Sequence, residues 1–210
     1  GGAGAVIRAC DVLSARPKDK ALVVSVELGS LIFSKQAQTP TDLVGVALFG
    51  DGAAAVLLGG DETPGDGIRI VRTRTHLFRD SRHLMGWRFT DDGMRLVLSR
   101  DIPSLVGSRV APVVQDFLSD AGLSFTNIKH HILHPGGAKV MSTYRSAFGL
   151  PDEALSIARE CMHQFANLSS AAVLVMLSNL VASGVPQSGD TGLMLALGPG
   201  FAAEMLAIVW

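Results

Sequence analysis

The chain is short of cysteine, short of aromatic residues and almost without net charge. Cys10 and Cys161 are its two cysteines among 210 residues, too few for a disulfide framework. Reduced thiols in a cytoplasmic protein are the expectation. Lys and Arg number 18 against 19 Asp and Glu, a formal charge of −1. Such a balance favours neither nucleic acid nor an anionic membrane as a partner. No basic run interleaved with aromatics marks a nucleic-acid groove. The opening GGAGAVIRACDVL lacks a basic start and a long apolar stretch, so it does not read as a signal peptide. The longest apolar run, Leu168 to Leu177, falls well short of the roughly 20 residues of a membrane helix. The six histidines show no metal-ligand spacing with acidic residues, and no metal is expected.

What the chain does have is apolar residues, 48% against 18% charged, enough for a large core. Helical spacing runs through Val6, Ile7, Cys10 and Leu13. ALVVSVEL (21–28) reads as a buried strand, followed by a helix from Pro40 to Phe49, a turn at Gly50-Asp51-Gly52 and a second buried strand from Ala53 to Leu58. The polar stretch Asp61 to Asp66 is the best boundary between two halves. Beyond it, strands are expected at 68–78 and 94–98, an amphipathic helix at 104–121 and a strand from His130 to Leu133. Helices at 138–148, 153–161 and 169–183 follow, and two strands around Gly198-Pro199-Gly200 close the chain. Alternating strands and helices indicate α/β layering with a covered sheet.

Four local signatures stand out: ALFGDGAAA (47–55), His134-Pro135-Gly136-Gly137, Asn167-Leu168-Ser169-Ser170 and Gly198-Pro199-Gly200. His134 ends an apolar strand, and the C-terminal ends of strands face the crevice where α/β proteins bind ligands. Two glycines after it permit close approach of backbone or ligand. Taken alone, such a His is as often structural. Asn167 precedes small residues that open a helix, and alone it reads as a helix cap. Together, a His and an uncharged Asn form two donors able to stabilise an enolate or a tetrahedral oxygen by several kcal/mol.

HPGG, NLSSA 33 residues later, GPGF and the upstream ALFGDGAAAV resemble the type III polyketide synthases, the chalcone and stilbene synthase-like members of the thiolase fold. ELGSLIF at Glu27 and MGWRFTDDGMRLVLSRDIP at Met85 look most similar to the bacterial alkylpyrone and alkylresorcinol synthases. The resemblance implies a layered αβαβα architecture, with residues 1–62 the end of an N-terminal half and residues 63–210 a whole C-terminal half. It implies a Cys–His–Asn triad. The thiolate takes an acyl starter from coenzyme A, while His and Asn hold the malonyl-CoA carbonyl during decarboxylation and stabilise the enolate that attacks the acyl-enzyme. His134 and Asn167 fall on the triad's His and Asn. Acyl-CoA and malonyl-CoA are the implied substrates, with no permanently bound cofactor, and a homodimer is the implied assembly.

The nucleophile is not found among these residues. The helix GAVIRACD corresponds to the one that follows it, which places the Cys about two positions before Gly1 and makes the chain, which opens without Met, a fragment unable to turn over. Cys10 and Cys161 are assigned to packing. The resemblance further implies that Phe49 is a gatekeeper, that Leu96 replaces a second gatekeeper Phe, and that Gly29, Ile32 and Gly86 line the substrate cavity. Gly198, Pro199 and Gly200 shape its wall, and Gly136, Gly137 and Ala138 lie where coenzyme A binds. A cavity of Leu, Ile and Gly suits a fatty acyl starter, each buried CH₂ contributing ~0.8 kcal/mol. Asp51 is expected to fix the Gly50–Gly52 turn. The competing readings are an initiating ketoacyl-carrier-protein synthase, disfavoured by HPGG, and a non-catalytic thiolase-fold partner subunit, disfavoured by the intact His134 and Asn167.

Overall fold

A computed structural model describes residues 1–32, 39–91 and 93–210. The first helix, α1 (Gly2–Ala15), leads into an antiparallel ribbon of β1 (Lys20–Leu28) and β2 (Asp51–Gly59). Between these strands lie a 3₁₀ turn (Gly29–Ile32) and α2 (Pro40–Leu48). A capping box opens α2: Thr39 Oγ1 accepts from the Asp42 N–H at 3.2 Å, and Asp42 Oδ2 accepts from the Thr39 N–H at 3.3 Å. Pro40 fills the first turn, where its missing donor costs nothing.

The main sheet has the order β3-β8-β7-β6, from β3 (Arg69–Leu77), β6 (His130–Leu133), β7 (Thr191–Gly198) and β8 (Ala202–Val209). Its β6–β7 pair is parallel. Alternation along the strands divides the core in two. Leu193, Leu195, Met205 and Ala207 pack with Val110, Phe117 and Tyr144 on one face, while Met194, Leu206 and Ile208 pack with Ile7, Val173 and Met176 on the other. The first face is covered by α4 (Ala111–Asp120) and α5 (Ala138–Phe148), the second by α1, α6 (Ser156–Phe165) and α7 (Ala172–Ala182). The ribbon lies across α1 and α7. The layers therefore run ribbon, helices, sheet, helices.

Three sequence expectations change. The β1 and β2 runs were read as buried on both faces, yet Leu22, Val24 and Leu57 are 65%, 59% and 63% exposed. The alternate residues Val23 and Val56, paired with each other, face α1 and α7, and the opposite face has no cover among the described residues. A hairpin of β4 (Met85–Thr90) and β5 (Gly93–Leu98) stands where one strand was expected. The helix expected at 104–121 comprises α3 (Ile102–Leu105), a π-helical turn (Val106–Val110) and α4. Pro112 explains the break: it lacks the N–H that would bond Ser108, and the Ala111 N–H reaches back to Val106 instead. Among the described residues no helix is long and apolar enough to cross a membrane. Nor does any group of three or more His, Cys, Asp or Glu among them offer a metal site.

Candidate active site

His134 is set by the parallel edge of the main sheet. Its N–H donates to Leu195 O at 2.8 Å, continuing the β6–β7 ladder one residue past Leu133. Pro135 holds the preceding residue extended, and the Gly136 N–H turns back onto His134 O at 2.9 Å. Gly137 has φ +127°, a conformation that requires glycine, and α5 starts at Ala138. The strand thus stops with the imidazole at its C-terminal end, on the same sheet edge as the Gly198–Gly200 turn that ends β7. The side chain is buried, and burial lowers its pKa to about 4. At neutral pH the ring is uncharged, with one donor and one acceptor nitrogen.

Asn167 is set by a different device. Its N–H donates to Leu48 O at 2.8 Å, and its carbonyl accepts from the Gly50 N–H at 3.1 Å. These two bonds form a parallel bridge with Phe49. Helix α2 stops at Leu48 because Phe49 adopts an extended backbone to make this bridge. The glycines of the GDG motif clear the path. A Cβ on Gly50 would lie 2.2 Å from Phe165 O, and one on Gly52 would lie 2.8 Å from Leu168 Cδ2. Asn167 Oδ1 accepts from the Ser169 N–H at 2.8 Å. That commits the oxygen and leaves Nδ2 as the amide's donor.

The backbone on both sides of Asn167 is strained. Ala166 has φ +61° and ψ −157°, and Ser169 has φ +47°. Each costs on the order of 1–3 kcal/mol. Strain of this kind persists only where neighbouring bonds over-determine the chain.

Around Asn167 the structure gathers several residues singled out in the sequence. Phe49 is its bridge partner, and a Cβ on Gly29 would lie 3.0 Å from Phe49 Cβ. Phe49, Gly29, Gly50, Asp51, Ser30 and Val46 line a cavity of about 490 Å³. The first turn of α1 abuts Ser170, since a Cβ on Gly2 would lie 2.3 Å from Ser170 O. His134 and Asn167 are two of the five buried polar side chains among the described residues. Their elements meet in one core, where Ile132 of β6 packs with Val173 of α7, although no hydrogen bond joins the two side chains among the described residues. Gly86 and Leu96 do not line the cavity. They sit on the β4–β5 hairpin, which docks on α2 beside the Arg95–Asp42 ion pair at 3.4 Å. The side chain of Ile32 lies outside the described residues.

Asp51 differs from its expected role. It opens β2, and Gly50–Gly52 form no turn. Its carboxylate instead accepts from the Ser30 N–H at 2.7 Å and the Ser30 hydroxyl at 2.6 Å, bonds that lower its pKa. It ties the 3₁₀ turn to β2. Sequence reasoning also passed over Ser25, Glu27 and Ser170, which hydrogen-bond to one another beside Asn167. Ser25 and Glu27 were detectable as polar residues two apart in an otherwise apolar run. Neither cysteine reaches this region: Cys161 is fully buried in the core, and Cys10 lies on the body of α1.

Comparison with known proteins gives the family. The model for the N-terminal domain of chalcone and stilbene synthases matches residues 1–62, and that for their C-terminal domain matches residues 69–209. The chain belongs to the chalcone and stilbene synthase family. These are type III polyketide synthases, acyltransferase-type enzymes of thiolase-like fold. The chain is 38% identical to a putative chalcone synthase of Bacillus subtilis over 100% of its own length and 59% of that protein's. It is 39% identical to the 1,3,6,8-tetrahydroxynaphthalene synthase of Streptomyces peucetius, covering 100% of itself and 56% of that enzyme. Its structure matches the crystal structure of the 1,3,6,8-tetrahydroxynaphthalene synthase from Streptomyces coelicolor, a bacterial type III polyketide synthase. The TM-score is 0.94 at 27% identity, over 100% of this chain and 59% of that one. The C-terminal type III polyketide synthase domain of Steely1 from Dictyostelium, at 24% identity and TM-score 0.89 over 99% of this chain and 58% of that domain's chain, shares the fold. The chain thus spans a little under three fifths of the relatives it matches.

Proposed function

We propose that this chain forms part of an enzyme that loads an acyl group from coenzyme A, extends it with malonyl-CoA by decarboxylative condensation, and cyclises the product. The observation that carries the reading is the state of the two donors. A neutral, buried imidazole stands at the strand end, and an amide whose oxygen is committed to Ser169 keeps Nδ2 as its donor. Donors fixed in advance in a dry site stabilise a developing enolate far better than water does. No proton need move for a ring N–H of His134 and the Asn167 Nδ2–H to grip a thioester oxygen. As carbon dioxide leaves, the electron pair of the broken C–C bond enters the enolate and its charge falls on that oxygen.

The nucleophile in this reading is a Cys about two positions before Gly1. There it would sit at the N-terminus of α1, whose first turn abuts Ser170. A helix N-terminus lowers a thiol pKa. A thiolate near His134 would also raise the low imidazole pKa and draw the proton onto the ring. Reading the coding sequence upstream of Gly1 tests this first: a Cys there supports the enzyme, and any other residue supports a silent partner subunit.

The starter in this reading is a fatty acyl group. Small Gly29 beside Phe49, with Val46, gives the cavity a largely apolar lining, and in this reading the Gly198-Pro199-Gly200 turn closes its far side. Gly136, Gly137 and Ala138 stand at the coenzyme A side, and the active unit is a homodimer of two-half subunits divided at residues 62 and 63. The full-length protein should be offered a mixture of long-chain acyl-CoA, coumaroyl-CoA and malonyl-CoA. Alkylated pyrones or resorcinols as the main products support the reading. Aromatic-starter products, or 1,3,6,8-tetrahydroxynaphthalene from malonyl-CoA alone, overturn the fatty acyl starter.

A further inference from the structure

We infer that Glu27 is a positioning residue that holds Asn167 in its working orientation by clamping Ser170 to β1. This rests on the reading of Asn167 as an oxyanion donor. The Ser170 N–H donates to Glu27 Oε1 at 3.2 Å, and the Ser170 hydroxyl donates to the same oxygen. Ser25, buried two residues before Glu27 and on the same strand face, shares a hydrogen bond with the Ser170 hydroxyl at 2.5 Å. The rest of that face is apolar, with Ala21 and Val23. A carboxylate turned inward on such a face is retained only where donors meet it.

The geometry explains what the clamp holds. Upstream, Asn167 is pinned by backbone bonds to Leu48 and Gly50. Downstream, Leu168 is buried against Ala171 and Ala172 and its carbonyl accepts from the Ala171 N–H, and the first bond to another strand is made by Ser170. Between them lies Ser169, with φ +47°, whose N–H occupies Asn167 Oδ1 and so fixes which way the amide faces. Released from Glu27, Ser170 would let Ser169 relax toward ordinary φ, and the Asn167 amide would rotate with it. Ser170 also packs on Gly1 and Gly2 at the start of α1, so one clamp sets both the donor and the helix end. The competing explanation is a plain cap: Glu27 satisfies an orphan N–H at the head of α7 and contributes to folding alone.

A double-mutant cycle on the full-length protein separates the two, read as malonyl-CoA decarboxylation. Asn167→Ala should lower kcat at least a hundredfold. Glu27→Ala should lower kcat about tenfold with KM within twofold, because displacing a donor weakens binding to the transition state more than to the substrate. In the Asn167→Ala background, Glu27→Ala should change kcat by less than twofold, since there is no amide left to position. Should Glu27→Ala not fold, Ser170→Ala, which removes the hydroxyl donor, reads the same cycle. Independent, multiplicative losses, or a Glu27→Ala that keeps full kcat, overturn the clamp and leave the role of Asn167 standing. An Asn167→Ala enzyme of undiminished kcat overturns both.

Discussion

The carbonyl oxygen of Phe165 lies over Gly50 so closely that a methyl group on the Gly50 Cα would sit 2.2 Å from it. Backbone, not a flexible side chain, fills that space, so a larger residue can only enter by pushing the 165–168 segment away. That segment carries Asn167 and already holds positive φ at Ala166. Gly50→Ala is therefore expected to destabilise the chain by about 3 kcal/mol or more in urea unfolding. Gly86→Ala provides the contrast, since nothing lies within 4 Å of its added Cβ. It should fall within about 0.5 kcal/mol of the parent. A mild Gly50→Ala would show that the Phe49–Asn167 bridge is not rigid.

Asn167→Asp separates the two ends of one side chain. The acceptor that holds the Ser169 N–H at 2.8 Å remains, so the loop should keep its shape and the unfolding midpoint should move little. The Nδ2 donors are lost, and a negative charge faces the developing enolate. In the full-length protein, malonyl-CoA decarboxylation should fall by about 10²–10³ in kcat. Retained activity in Asn167→Asp would assign the amide to structure alone.

Parts of the fold around this site are legible in the sequence, and for identifiable reasons. β6 and α5 could be bounded because glycine and proline punctuate them: Pro135 and Gly137 stop one and start the other, and Gly149 in the left-handed region ends α5. Phe49 and Asn167 could be named, but their backbone bridge could not, because pairing between residues more than a hundred apart leaves no local pattern. Asp51 was misjudged for the same reason. Its partner Ser30 stands 21 residues away, and a turn residue is the cheaper local guess. The exposed face of β1 shows the opposite limit. Leu22, Val24 and Val26 record that the strand is made to be covered, without saying by what.

Thiol labelling tests the assignment of the nucleophile. Burial raises the pKa of Cys161, and burial together with the neighbouring Asp11 raises that of Cys10. Both are therefore poor nucleophiles at neutral pH. In the full-length protein at pH 7.5, brief iodoacetamide treatment followed by peptide mass mapping should mark a Cys upstream of Gly1 first, with loss of activity in step. Prior marking of Cys10 or Cys161 would contradict the burial argument and the triad together.

His131 offers a test that needs no substrate. It is buried, its Nε2 has no partner among the described residues, and its pKa is lowered to about 4, first by burial and then by His130. An unfolded His titrates near 6.5. Between these values the unfolded chain binds a proton that the folded chain refuses, so stability declines as pH falls through 6.5 toward 4 and is undiminished above it. His131→Leu removes the unpartnered nitrogen and this proton linkage. It should raise stability by about 1 kcal/mol at pH 7, from the relieved desolvation. At pH 5 the advantage should widen by about a further 2 kcal/mol, the work of holding a pKa near 4 against one near 6.5 at that pH. His134 carries a shift of the same sign and remains in both proteins, so it cancels in the difference. Urea titrations at the two pH values measure it. An advantage that shrinks on acidification would mean that His131 is protonated and partnered in the fold.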